Sequence, residues 1–305
     1  MQMKIIITGA TGLIGRSLCE RLINRGDEVT VFTRDVDKAK NLLPQIKKFV
    51  DWDYKNPDRW QSEINNVDAV IHLAGANLFG KRWNENYKRK ILESRQISTQ
   101  NLVNAIASVN NKPSTFICSS AVGIYGNRRD QLLAEESAPG NDFLAQVCKT
   151  WEEEAAKVET SAVRRVSIRT GIVLSTKEGA LKQMLLPFKL FVGGPLGNGK
   201  QWFPWIHIDD LVNTFLFCLD NTNVKGAANG VSPNPVRMNE FAKTLGNVLH
   251  RPSFFKVPAF ALKIIAGEFA DSITASLRVV PEKLAQNNYN FKFEKLEEAL
   301  EDLLK

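Results

Sequence analysis

A run of β-branched residues, Ile5-Ile6-Ile7-Thr8, leads directly into Gly9-Ala10-Thr11-Gly12-Leu13-Ile14-Gly15, where every third residue is glycine. Each glycine answers a different steric demand. The first permits a tight turn from strand to helix, the second lets backbone approach a bound phosphate, and the third lets the helix pack close to the strand. Downstream, Leu13, Ile14, Leu18, Leu22 and Ile23 recur at helical spacing, Arg25-Gly26 ends the helix, and residues 28–32 alternate as a second strand. Such a β-α-β unit of about 30 residues is the context in which spaced glycines signal a dinucleotide site. The unpaired N–H groups of the first helical turn face the anionic diphosphate. Gly9, Thr11, Gly12, Leu13, Ile14 and Gly15 are the expected diphosphate-binding residues.

Strand-like runs at 5–8, 29–33, 49–52, 69–73, 115–118 and 166–174 alternate with helical patterns, notably over 85–109 and 143–159. This predicts an α/β fold, a Rossmann-like doubly wound parallel sheet. After Leu174 the texture changes, with glycines and prolines punctuating short apolar pieces. The expected division is a dinucleotide-binding domain over 1–174 plus about 205–230, and a smaller C-terminal, substrate-side domain over 175–204 and 231–305. A helix starting near 208 is expected to take Asp209 or Asp210 as its cap.

Composition excludes several classes. With 44% hydrophobic and 24% charged residues the chain builds an ordinary globular core. Its net charge of +7 is scattered, without aromatics interleaved for base stacking, which argues against a nucleic-acid partner. Cys19, Cys118, Cys148 and Cys218 form no C-x-x-C pair, so reduced thiols and a cytoplasmic location are expected. Three histidines without an H-E-x-x-H motif argue against a catalytic zinc. The apolar stretch 257–266 is interrupted by Lys263, so no membrane span is expected, and the protein is taken as a monomer or homodimer.

The end of the second strand selects the cofactor. Where a carboxylate would hold the ribose 2′-hydroxyl of NAD, this chain has Thr33-Arg34. A guanidinium there offers a planar fork of donors to a 2′-phosphate, which predicts NADP(H). Asp35 stands one residue further and is a candidate cap for the next helix. Leu73-Ala74-Gly75 ends the fourth strand with small residues that let backbone lie against the adenosine half of the cofactor. Arg82 either reaches a phosphate or stacks on Trp83. Lys189, Lys200, Gln201, Trp202 and His207 either meet an anionic or sugar ligand or serve the interdomain packing.

Taken together, the glycine loop, Leu73-Ala74-Gly75, Ser119-Ser120 with Tyr125-Gly126, and His207-Ile208-Asp209-Asp210 resemble the extended short-chain dehydrogenase/reductases, the nucleotide-sugar epimerase and dehydratase superfamily. Lys81-Arg82-Trp83-Asn84, Glu93-Ser94-Arg95, Lys149-Thr150-Trp151-Glu152, residues 169–174 and Gly193-Gly194-Pro195-Leu196-Gly197 are similar to a divergent branch labelled "epimerase family protein". The resemblance spans the chain, and its last segment is similar to a small C-terminal domain peculiar to that branch. Some members of the branch carry a cell-division-inhibitor label, and a plastid-division factor belongs to it.

The resemblance implies a tyrosine acid/base, a lysine four residues later that holds the nicotinamide ribose, and a hydroxyl ending the fifth strand. Lys149 fits the lysine, but Ala145 stands four residues before it. Ala121 falls where the hydroxyl belongs, with Ser120 one position early, and Arg95 replaces a frequent asparagine. Ser120, Tyr125 and Lys149 are therefore the candidate catalytic residues, with Lys149 also a cofactor ligand; the motif position of Tyr125 favours a structural turn residue over a catalyst. Two functions follow. One is an NADP(H)-dependent oxidoreductase or nucleotide-sugar epimerase with a non-standard active site, acting on a nucleotide sugar or another carbonyl compound. The other is a catalytically silent NADP(H)-binding module for redox sensing or division.

Overall fold

The computed structural model describes residues 2–305. The chain begins with β1 (Lys4–Thr8), α1 (Leu13–Arg25), β2 (Glu28–Thr33), α2 (Val36–Leu42) and β3 (Lys48–Asp51). There follow β4 (Ala69–His72), the long α3 (Glu85–Ser108), β5 (Thr115–Ala121), the short β6 (Leu132–Leu133), α4 (Phe143–Ala156) and β7 (Arg164–Thr170). The next stretch holds β8 (Ile172–Leu174), α5 (Ala180–Lys189), β9 (Trp202–Phe203), β10 (Trp205–His207), α6 (Ile208–Asp220) and β11 (Gly226–Gly230). The chain closes with β12 (Val236–Arg237), α7 (Met238–Leu249), α8 (Ala259–Ala266), α9 (Phe269–Ile273), β13 (Arg278–Val279), α10 (Glu282–Gln286) and α11 (Leu296–Leu304).

Seven strands form one parallel sheet in the order β11-β7-β5-β4-β1-β2-β3. Helices cover both faces, and this explains the uninterrupted apolar run of β1. Ile5 and Ile7 face Leu18, Leu22 and Phe215 of α1 and α6, whereas Ile6 faces Leu102, Ile106 and Trp151 of α3 and α4. The chain leaves β1 toward β2 on one side and returns as β4 on the other. That reversal opens a crevice above the carboxyl ends of β1 and β4, where open α/β sheets take their ligands.

A third core joins α5, α7 and α11 through Leu181, Phe188, Phe241, Leu245 and Leu300, with Trp205 from β10. It fixes the C-terminal elements beside the crevice. β10 pairs with β8, apart from the main sheet, and β11 adds the edge strand next to β7. At the start of α6 the cap is not Asp209 or Asp210. His207 accepts from the Asp209 N–H through Nδ1 at 3.1 Å, while Asp210 turns inward and accepts from the Lys292 and Phe293 N–H groups. The carboxylate joins distant chain because two inward-facing backbone donors need an acceptor once buried.

Candidate functional site: the crevice above β1 and β4

The glycine loop shows three different crowdings. Gly9 has φ +71°, and a Cβ there would stand 2.8 Å from the Ala74 nitrogen. A Cβ on Gly15 would stand 2.5 Å from the Gly9 oxygen, so α1 sits hard against the turn. Gly12 is open: its added Cβ would meet only the Gly9 oxygen, at 3.4 Å. As the N-cap of α1 it brings no side chain to the first-turn N–H groups. Thr11, Leu13 and Ile14 complete the rim. Arg16 braces it by donating to the Thr11 carbonyl and to Glu178, both at 2.7 Å. This is a cradle for an anion that only glycine leaves unfilled.

Beneath the loop, His72 ties β4 to β1 and α3. Its Nδ1 lies 2.6 Å from Thr8 Oγ1, and Nε2 lies 3.2 Å from Ser98 Oγ and 3.1 Å from Thr99 Oγ1. Burial pushes its pKa down to about 3, and the nearby Arg95 charge adds to the effect. Thr8 Oγ1 also accepts from the Ala74 N–H at 3.3 Å, which positions Leu73-Ala74-Gly75 against the loop. Sequence reasoning places His72 with those three residues at the end of the strand but gives it no role of its own.

At the end of β2, Arg34 is exposed and makes no hydrogen bond or ion pair among the described residues. Asp35 does not compete for the same ligand, because its carboxylate accepts from the Lys38 N–H at 3.0 Å as the cap of α2. Thr33 Oγ1 accepts from the Asp35 N–H. Across the crevice a cavity of about 410 Å³ runs from Leu13 past Asn77 and Phe79 to Lys182 on α5. Arg82 lies against Gly267, before α9, where an added Cβ would come within 3.0 Å of its Nε. Trp83 packs on Phe143 and Phe269 instead of stacking under Arg82.

The three catalytic candidates do not converge on this crevice. Tyr125 is fully buried; its hydroxyl donates to Asn229 Oδ1 at 2.7 Å and accepts from Arg169 Nη1 at 2.9 Å. Burial raises its pKa to about 12, against the lowering effect of Arg169. Ser120 is buried as well and donates to Glu152 Oε1 at 2.6 Å. Arg169 forks onto Glu152 with two bonds of 2.9 Å and also donates to the Glu135 carbonyl. Burial opposes the Arg169 charge, but Glu152 more than compensates and holds the guanidinium above its ordinary pKa. Ser120 and Tyr125 thus belong to one closed polar network across β5, β7, β11 and α4. Glu135 and Asn229 were the unforeseen members; a charged Arg169 within the strand-like run 166–174 was the available signal.

Lys149 stands apart from that network. Its side chain is 58% exposed and stands 3.9 Å from Glu153, one turn along the outer face of α4. Helical geometry turns its neighbour inward instead. Cys148 is buried, with its thiol pushed up to about 12 by burial and facing Arg95. Trp202 and His207 serve packing: Trp202 lies between Arg237 and Arg278, and His207 caps α6. Gln201 donates to the Leu196 carbonyl in the same region.

The sheet order and the glycine cradle define a dinucleotide-binding α/β protein. More narrowly, the chain belongs to the NAD dependent epimerase/dehydratase family, which residues 5–229 match, and residues 257–303 match the domain of unknown function DUF1731. It is 39% identical over 305 residues to the epimerase family protein SDR39U1 homolog, chloroplastic, of Arabidopsis thaliana, covering 99% of this chain and 87% of that one. The crystal structure of human epimerase family protein SDR39U1 (isoform 2) with NADPH superimposes with a TM-score of 0.89 at 31% identity, over 99% of both chains. A nucleoside-diphosphate sugar epimerase from Corynebacterium glutamicum gives 0.78 at 32% identity, covering all of this chain and 58% of that one. Among the described residues, no helix is long and apolar enough to cross a membrane.

Proposed function

We propose that this protein binds NADP(H) in the crevice and is an oxidoreductase or epimerase with a non-standard active site, acting on a nucleotide sugar or another carbonyl compound. Arg34 carries the cofactor assignment: it is an exposed guanidinium at the end of β2 with no hydrogen bond or ion pair among the described residues, and the carboxylate next to it in sequence, Asp35, is engaged in capping α2. Thr33 and Arg34 take the 2′-phosphate, Gly9, Thr11, Gly12, Leu13, Ile14 and Gly15 take the diphosphate, and Leu73-Ala74-Gly75 lies along the cofactor. The unfilled space over Gly12 fits that role. So does the NADPH of the human neighbour. The nicotinamide, when bound, supplies or accepts hydride. Arg82, resting on the segment before α9, is the further candidate to reach a cofactor phosphate.

Ser120 acts by holding Glu152, and Tyr125 acts by holding Asn229 and Arg169, so both stabilise the wall of the crevice. Acid–base assistance then comes from the substrate or from solvent, without the tyrosine–lysine pair. General acid–base help is worth about 10²–10⁴-fold, so turnover is slow. A cytoplasmic location belongs to the same proposal and is supported by four free, buried cysteines. The test is single-turnover loss of reduced-nicotinamide absorbance from the NADPH complex against nucleotide sugars and simple carbonyl compounds. Slow oxidation that persists in Tyr125→Phe is expected; fast oxidation abolished by that substitution would restore a phenol as the acid.

A further inference from the structure

Arg95 is a cation drawn into the protein without an anion among the described residues. It enters from α3 and lies between the Trp151 ring, 4.9 Å from its Cζ, and Gly75, where an added Cβ would stand 2.9 Å from the same atom. Nη1 donates to the carbonyls of Ala76 and Ile91 at 3.2 and 3.1 Å. Nε and Nη2 find no acceptor among the described residues, yet neither is sealed from solvent. The titratable groups facing the guanidinium are the thiols of Cys148 and Cys118 and the imidazole of His72, all three kept neutral by burial, and the Tyr87 phenol. No carboxylate pairs with it among the described residues. A guanidinium left this way is costly unless something else supplies oxygen acceptors.

Its place along the sheet says which part of a ligand that is. Arg34 ends β2, the glycine loop follows β1, and Arg95 lies beyond both, over β4 and beside Cys118 of β5. A dinucleotide with its 2′-phosphate at Arg34 and its diphosphate over Gly12 runs its other half toward Arg95. Lys149 is turned away, and the inward position on α4 holds the neutral Cys148.

We propose, on the reading that the crevice binds NADP(H), that Arg95 is the cation of the nicotinamide half, donating through Nε and Nη2 to ribose oxygens there, in place of a lysine on α4. It is a binding and positioning residue that fixes the nicotinamide riboside in the crevice. Gly75 leaves room for the guanidinium in this position, which an added Cβ would push aside.

The test is calorimetric binding to the full chain of NADPH and of adenosine 2′-phosphate 5′-diphosphate, which keeps both phosphate groups but lacks the nicotinamide riboside. Loss of charge-assisted bonds predicts that Arg95→Met weakens NADPH by roughly 10- to 150-fold and leaves the fragment's affinity unchanged. Arg95→Lys should recover part of the loss. Arg95→Gln, which keeps a polar side chain, should show the same selectivity should the methionine variant be poorly folded by circular dichroism. Equal weakening of both ligands would place Arg95 with the diphosphate or the fold, and unchanged NADPH affinity would remove it from the site; either result overturns the proposal. Failure of the native protein to bind either ligand would instead refute the cofactor reading, and this inference with it.

Discussion

Replacing Tyr125 with phenylalanine removes one oxygen from the buried network and leaves the ring packing in place. The hydroxyl donates to Asn229 Oδ1 at 2.7 Å and accepts from Arg169 Nη1 at 2.9 Å. Arg169 Nη1 retains the Glu135 carbonyl at 2.7 Å, so its charge stays hydrogen-bonded. Asn229 has no exposed surface, and its Oδ1 loses its donor. One orphaned buried acceptor costs about 1–3 kcal/mol. In a chain of this length each kcal/mol moves Tm by roughly 2 °C, which predicts a fall of about 2–6 °C. Thermal melts followed by circular dichroism measure it, with NADPH titration in parallel. The expected pattern is a lower Tm with unchanged cofactor affinity. An unchanged Tm together with lost cofactor-dependent turnover would refute the structural assignment of the phenol.

Lys149→Ala should leave NADPH affinity unchanged and alter stability by no more than about 0.5 kcal/mol, as for other exposed helical pairs; calorimetry and urea melts check this. Gly15→Ala gains about 1 kcal/mol of helix propensity but sets a Cβ 2.5 and 2.6 Å from backbone atoms of Gly9 and Ala10, so net destabilisation by urea melt is expected. Gly12→Val meets no such clash and should fold normally by circular dichroism while losing NADPH binding. His72 has a folded pKa depressed from 6.5 to about 3, so the stability due to its neutral form is complete above pH 6.5 and is lost as pH falls toward 3. Between pH 6.5 and 5 the native protein should lose up to about 1.4 kcal/mol per unit more than His72→Gln, read from urea midpoints.

Much of the sheet was legible because buried parallel strands are written as apolar β-branched runs, and β1 through β5 fall where those runs stand. β11 was not, since Gly226-Ala-Ala-Asn-Gly230 has little strand propensity and takes its conformation from pairing with β7. The cradle was legible for a steric reason, as only glycine satisfies the contacts at 9 and 15. The catalytic candidates were chosen by position relative to a pattern, and one residue of phase decides whether a helical side chain faces inward. That single step separates exposed Lys149 from buried Cys148. The network of Ser120, Glu152, Arg169, Tyr125, Asn229 and Glu135 joins segments far apart in sequence. No local spacing encodes it.

Calorimetric titration of NADPH and NADH into the native protein and into Arg34→Ala tests the central claim most directly. The native protein should prefer NADPH. The substitution should weaken NADPH by roughly 10- to 150-fold, the loss of one charge-assisted hydrogen-bonded contact, and leave NADH unaffected. Equal affinities for the two cofactors in the native protein, or an Arg34→Ala variant that binds NADPH as tightly as before, would contradict the assignment of this crevice to NADP(H).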